Sequence, residues 1–159
     1  MKKFELTSET KINIFGKKLF RIKALISFGN VEAGKTGGWV EKEENVNQSG
    51  NAWVFDNAEV FGNARVSGNA WVSGNAWVFG NAWVSGNADY ATIHGFGTQF
   101  RTTTFFRCKD KQVKVSCGCF YGTIPEFREQ VKNTRKGKIA EEYLMIADLM
   151  EKHFAEEAK

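Results

Sequence analysis

The sequence predicts a mostly β fold that is built around a three-sided parallel coil of about three turns. Three features predict it: a six-residue repeat in the middle of the chain, strand-like segments on both sides of that repeat, and helix signals near the C-terminal end. With 42% hydrophobic and 25% charged residues, the chain has the composition of a folded globular protein. We expect an N-terminal β-hairpin cap (1–38), the repeat (39–95) and a C-terminal β-β-α-α subdomain (96–159).

The repeat runs without a gap from Gln48 to Asp89 as seven six-residue units. Its fourth position is Asn and its fifth is Ala in all seven units, and its first position is Val in six of them. Side chains alternate between the two faces of a strand, so Ala and the following Val share one face. Gly and Asn tolerate the left-handed backbone that a corner needs. Three units then close one turn, and residues 18 apart stack as parallel strands. Val40 and Val46 continue the alanine series backwards at the same spacing.

Six of the seven units combine an aliphatic residue, turn residues and a small inner residue, and this pattern resembles that of the hexapeptide-repeat proteins. The resemblance implies a left-handed parallel β-helix, which neighbouring turns stabilise by stacking. FGKKLFRIKAL (15–25), GGWVEKEENV (37–46), the SGNAWV run and CGCFYGTIPEF (117–127) carry a second resemblance. Through them nearly the whole chain resembles a family of small bacteriophage and prophage proteins. That likeness implies an accessory protein of the host cytoplasm and supplies no catalytic residues.

The second and sixth positions of each unit point outward and carry many aromatic side chains. We predict binding residues on three walls: Trp53 and Trp71 on the first, Phe61, Trp77 and Phe79 on the second, and Arg65 and Trp83 on the third. So many exposed rings mark an interface, a ligand site or a covered surface. Three explanations stay open: terminal segments of the chain lie across the walls, protomers pack through them, most simply as a homotrimer, or a ligand or partner binds there.

The net charge of +4 is unevenly distributed, because both flanks are basic and the repeat is acidic. Lys132, Arg135 and Lys136 surround the turn between two predicted helices, and Lys109 and Lys111 mark a predicted hairpin turn. Such groups either contact phosphates or only solvate a turn. We include Lys132, Arg135 and Lys136 among the predicted binding residues.

Acyltransferases of the hexapeptide-repeat type use a histidine as general base and bind acyl-coenzyme A between coils. His94, just past the repeat, is the histidine that would take this role if the chain were such an enzyme. No long catalytic loop interrupts the seven units. We therefore predict a protein without catalytic residues and without a cofactor, and we keep the acyltransferase as the alternative.

Two other motifs carry little weight. The stretch 29–36 matches the phosphate-binding string GxxxxGK[ST], but Gly37 and Gly38 follow where that motif needs a helix to begin. Cys108, Cys117 and Cys119 lack an evident fourth ligand, so no metal site is predicted. An odd number of cysteines favours a reducing compartment, and no apolar run is long enough for a membrane span.

The flanks predict the remaining elements. Residues 11–28 indicate a hairpin that turns at 16–18 and caps the lower end of the coil, and 99–107 and 113–119 alternate like strands. Thr123, Pro125 and Glu126 form a helix start, and Gly137 is expected to end that helix. A second helix has a predicted apolar seam: Ile139, Tyr143, Ile146, Met150 and His153.

The repeat and its outward aromatic residues predict a non-enzymatic, oligomeric binding protein, and the second resemblance implies that it is a phage accessory protein that binds a host target. By analogy with other phage accessory proteins, the expected role is inhibition of host antiviral defence, by action on a host protein or by sequestering an anionic nucleotide signal. Two alternatives remain: a hexapeptide-type acyltransferase and a structural virion or assembly component.

Overall fold

The computed structural model describes residues 2–155, so Met1 and 156–159 of the predicted terminal segments lie outside it. This part of the chain is mostly β, with several separate sheets and two C-terminal helices. No helix in it is long and apolar enough to cross a membrane. The strands are β1 (Phe4–Ile12), β2 (Lys18–Ala24), β3 (Thr36–Val40), β4 (Trp53–Val54), β5 (Glu59–Val60), β6 (Arg65–Val66), β7 (Trp71–Val72), β8 (Trp77–Val78), β9 (Trp83–Val84), β10 (Tyr90–Phe96), β11 (Arg101–Arg107), β12 (Val113–Cys117) and β13 (Phe120–Thr123), and the helices are α1 (Ile124–Thr134) and α2 (Gly137–Phe154).

The six two-residue strands of the repeat form three parallel pairs, and each pair joins strands that are 18 residues apart. The paired strands are β4 with β7 on the first wall, β5 with β8 on the second and β6 with β9 on the third. Alternate backbone N–H groups donate to carbonyls on the next turn, as Trp53 does to Ala70 at 3.1 Å. The predicted stacking of residues 18 apart is confirmed, and the pairing is compatible with a three-sided coil.

The small inner residues of the repeat form its core. The alanines from Ala52 to Ala82 and the valines from Val54 to Val84 are at most 1% exposed. The corners need glycine: at Gly68, with φ +62°, an added Cβ would lie 2.5 Å from the Ser85 carbonyl oxygen. The inward assignment of alanine and valine is therefore confirmed through six of the seven units.

Both ends of the repeat depart from the six-residue spacing. Val40 and Val46 stack on Val60 and Val66, which are 20 residues away, so they occupy the valine register and not the predicted alanine register. The two extra residues lie in the corner after Val46, where the Gln48 side chain bonds the backbone of Lys3 and Phe4. At the upper end, a short turn over Asn87–Asp89 leaves Ala88 exposed. Ile93, expected in the coil, instead pairs with Thr103 in an antiparallel sheet.

The N-terminal hairpin begins earlier than predicted and extends the second wall. Strand β1 pairs with β2 and β2 with β3, both antiparallel, and β3 continues in parallel onto β5 and β8. The turn lies between Ile12 and Lys18, because the Asn13 side chain accepts hydrogen bonds from the N–H groups of Phe15 and Lys17. The segment around Ile12–Phe15, expected as a strand, is therefore mostly turn.

The C-terminal subdomain is a four-stranded antiparallel sheet in the order β10-β11-β12-β13, packed against both helices. The prediction missed β10 and β13. The predicted start of α1 is confirmed, since Thr123 and Glu126 bond each other's backbone N–H groups. Helix α1 ends at Thr134, and Gly137 begins α2 with φ +63°, so the prediction that Gly137 ends α1 is wrong. On α2, Phe154 is buried and His153 exposed, because the buried face follows a 3.6-residue period and not a heptad.

Candidate binding groove on the third wall

The first wall is covered at its lower end by the N-terminal segment. The Trp53 ring is fully buried, with Phe4 and Phe28 edge-on to it at centroid distances of 5.8 and 5.3 Å. Trp71, one turn higher, is half-buried beside Phe55 at 5.6 Å. Trp53, a predicted binding residue, is thus enclosed by the chain itself.

The second wall is covered by the turn of the N-terminal hairpin and by the C-terminal sheet. The Phe15 ring lies 5.8 Å from Phe61, 5.7 Å from Trp77 and 5.3 Å from Phe79. Tyr121 packs on Phe79 from above at 4.7 Å. Phe61 is buried, and Trp77 and Phe79 are half-buried. Flanking segments therefore cover the outward aromatic residues of the second wall and Trp53 on the first wall, whereas Trp71 packs beside Phe55 of the repeat itself.

The third wall remains open within residues 2–155. Arg65 and Trp83 stand in register on β6 and β9, both side chains are exposed, and 43% of Trp83 is accessible. Two neighbouring cavities of about 710 Å³ and about 600 Å³ lie on this wall and share Glu44, Arg65, Trp83 and Lys109. We call them the first and second compartments of the third-wall groove.

Hydrogen bonds to backbone carbonyls hold both lips of the groove. The lower lip is the turn Glu43–Asn45, where the buried side-chain amide of Asn45 donates to the Gly62 and Ala64 carbonyls. The upper lip is the loop between β11 and β12, whose Lys109 N–H donates to the Asn81 carbonyl at 2.9 Å. The groove is therefore built from three distant stretches of the chain, and hydrogen bonds join both of its lips to the repeat.

The groove carries an excess of positive charge. Arg107 pairs with Asp89 at 3.2 Å, and Glu43 pairs with Lys2 at 3.1 Å. Within the described residues, four cations of the groove form no salt bridge with a carboxylate: Lys42, Arg65, Lys109 and Lys111. Among the carboxylates that line the groove, Glu44 is the one without a salt bridge. The Lys109 ammonium lies 5.2 Å from the centre of the Trp83 ring. An anion with an aromatic or apolar part fits this combination.

Cys108 also lines the first compartment but is a poor nucleophile. Burial, and secondarily the Asp110 charge, raise the pKa of its thiol from 9.0 to about 11. The thiol is protonated at neutral pH, and a nucleophilic cysteine must be a thiolate. Cys108 therefore contributes an apolar surface.

The other predicted site residues lie elsewhere. Lys132 is on α1, and Arg135 and Lys136 follow that helix; Arg135 lines a 220 Å³ cavity between α1, α2 and the sheet. None of these three lines the third-wall groove. His94 is exposed on β10, where its Nδ1 lies 2.7 Å from Thr102 Oγ1, and it lines none of the cavities described here. The stretch 29–36 leads into strand β3 and not into a helix, so it does not form a phosphate-binding loop of that kind.

Sequence reasoning missed Lys42 and Glu44 on the lower lip and Arg107 at the upper end. The spacing along the chain could have indicated the two lower residues, because Lys42 and Glu44 precede Asn63 and Arg65 by 21 residues, which is about one turn of the coil. The two-residue insertion after Val46 concealed this register.

Comparisons with known proteins give a partial likeness. No protein-family model matches the chain. Over 66 residues it is 35% identical to an uncharacterized acetyltransferase, YdcK, of Escherichia coli (strain K12). The match covers 35% of this chain and 19% of that protein, so the chain spans about a fifth of the relative's length. This hints at a hexapeptide-repeat relationship.

Proposed function

We propose that residues 39–89 form a left-handed parallel β-helix and that the protein is a non-enzymatic binding protein whose site is the third-wall groove. The observation that carries this is the difference between the walls. Flanking segments cover Trp53 on the lower first wall and the aromatic residues of the second wall, and Trp71 is half-buried. Arg65 and Trp83 stay exposed between two lips that hydrogen bonds to the backbone hold in place. An open aromatic and cationic groove on a rigid scaffold supports binding of an external partner.

The charge of the groove supports an anionic target. Four cations without carboxylate partners face one free carboxylate, and the focused field of such a cleft raises the local concentration of anions. The target is then an acidic surface of a host protein or a small anionic compound such as a nucleotide. A homotrimer packed through third walls would place the groove at protomer boundaries, and light scattering tests that assembly.

An acyltransferase is the second candidate, and the likeness to YdcK favours it. Against it, the predicted base His94 is hydrogen-bonded to Thr102 and does not line the groove. An acyltransferase of this kind would consume acetyl-coenzyme A in the presence of an acceptor and lose turnover in His94→Ala. The binding protein would show neither property.

The experiment is affinity capture from a bacterial lysate, with mass spectrometry of retained proteins and small molecules. Trp83→Ala and the pair Lys42→Ala/Lys109→Ala should release the captured target. Lys132→Ala/Lys136→Ala is the matched control, since it also removes two positive charges but lies outside the groove. Capture that survives both groove variants would refute the groove.

The biological part of the proposal is that the target belongs to host antiviral defence and that the protein acts in the host cytoplasm. Its support is the sequence resemblance to phage accessory proteins. Expression of the chain in a defended bacterium should raise phage plaque counts, and Trp83→Ala should not. Recovery of the protein from purified phage particles would favour the structural alternative.

A further inference from the structure

We infer that the ligand of the third-wall groove is a small compound with a planar ring and a terminal phosphate monoester, such as a nucleoside 5′-monophosphate. The ring would lie against Trp83 in the first compartment and the phosphate would lie in the second. This inference rests on the proposed function and specifies the ligand of the same site.

The two compartments differ in chemistry. The first compartment has an apolar part formed by Val46, Val66, Trp83 and Cys108, beside the Asp89–Arg107 pair, Glu43, Lys111 and the shared charged residues. Its volume of about 710 Å³ exceeds the space that a single base needs. The second compartment is lined by Lys42, Asn63 and Asn81 together with the shared charged residues. A ring gains most in the first compartment, and a charged, strongly hydrogen-bonding group gains most in the second.

Trp83 and Arg65 lie at the junction of the compartments. The indole is 43% exposed, and base stacking on an aromatic side chain contributes about 1–3 kcal/mol. The Lys109 ammonium, 5.2 Å from the indole centre, is close enough to serve both a stacked ring and a phosphate in the second compartment. A ligand that spans the junction therefore joins an aromatic group to an anion over a short distance.

The charge of the second compartment selects the kind of phosphate. Lys42, Arg65 and Lys109 face Glu44, which leaves a formal charge of +2. A phosphate monoester carries about −1.5 to −2 at pH 7, whereas a diester carries a single negative charge. The monoester is the better match, so a cyclic nucleotide should bind more weakly than the corresponding 5′-monophosphate.

The test is a titration of the full chain with each probe at low ionic strength, in which calorimetry or tryptophan fluorescence measures binding. The probes are adenosine 5′-monophosphate, uridine 5′-monophosphate, adenosine without phosphate, adenosine 3′,5′-cyclic monophosphate and inorganic phosphate. We expect both 5′-monophosphates to bind, because stacking is tolerant of base identity. Adenosine and inorganic phosphate should each bind about tenfold more weakly or worse, and the cyclic compound should fall between.

Variants locate the two parts of the ligand. Trp83→Ala should weaken 5′-monophosphate binding about five- to 150-fold, the range that the stacking energy implies. It should leave the already weak binding of inorganic phosphate unchanged. Lys42→Ala should weaken the monophosphate and not adenosine. Glu44→Gln removes the opposing carboxylate and should strengthen monophosphate binding. Lys132→Ala/Lys136→Ala is the control and should change nothing.

Several outcomes would overturn the inference. Equal affinity for adenosine and its 5′-monophosphate, tighter binding of the cyclic compound, or no binding of either 5′-monophosphate up to about 5 mM would each do so. If the 5′-monophosphates fail but a host protein is captured and released by Trp83→Ala, the proposed function stands and this inference falls. If the groove variants affect neither nucleotide nor protein binding, both fall.

Discussion

Replacing Ala70 by leucine tests the stacked repeat at its centre. Ala70 is fully buried on the first wall, and its carbonyl accepts the Trp53 N–H at 3.1 Å across the turns. The alanines on the adjoining walls, Ala64 and Ala76, are also buried, so three added carbon atoms have no free space to enter. Overpacking a closed core costs about 1–3 kcal/mol. In a chain of 159 residues this corresponds to a fall in Tm of roughly 2–12 °C.

The measurement is thermal unfolding followed by circular dichroism, with two companion variants. Ser73→Leu adds leucine on the same wall at an exposed, outward position and should leave Tm nearly unchanged. Val72→Ala leaves a cavity beside Ala70 and should lower the free energy of unfolding by about 1–3 kcal/mol. If Ala70→Leu and Ser73→Leu unfold at the same temperature, the inward assignment of the alanines is wrong.

Two further predictions concern the ends of the chain. Lys3 is buried at the base of the repeat, where its ammonium donates to the Ala52 carbonyl at 2.7 Å, and burial lowers its pKa from 10.5 to about 8. Between those values the unfolded chain binds the additional proton, so this group makes the free energy of unfolding rise with pH from about 8 to 10.5. Burial raises the pKa of Cys108 and of Tyr143, and these two groups oppose this trend. The measurement is therefore the difference in the free energy of unfolding between wild type and Lys3→Met as a function of pH. An identical pH dependence in both proteins would contradict the prediction. In the C-terminal subdomain, Thr123→Ala removes the α1 cap and should lower the free energy of unfolding in urea by about 0.5–2 kcal/mol. The control is Thr134→Ala, which should cost less because it removes a hydroxyl that donates to the Gln130 carbonyl near the exposed end of the helix.

The local rules of strand and helix formation account for what could be predicted. Alternation within each unit placed every alanine from Ala52 to Ala82 inward, and the six-residue period assigned Trp53, Trp77 and Trp83 to their walls. The capping residues Thr123 and Glu126 marked the start of α1. These features depend on backbone geometry and on neighbours close in sequence, and a single chain displays both in its letters.

Long-range contacts account for the rest. Outward Trp53 and outward Trp83 are equivalent in the repeat, yet one is buried and the other exposed, because Phe4 and Phe28 of the N-terminal segment pack on Trp53. Gln48 in the irregular corner bonds the backbone of Phe4 in that segment. Likewise, no local pattern brings Lys42, Arg65 and Lys109 to one groove. The six-residue spacing thus specifies which face each side chain takes. Which walls stay exposed depends on where the flanking segments pack, because those segments are distant in sequence and can reduce the free energy by covering any of the three walls.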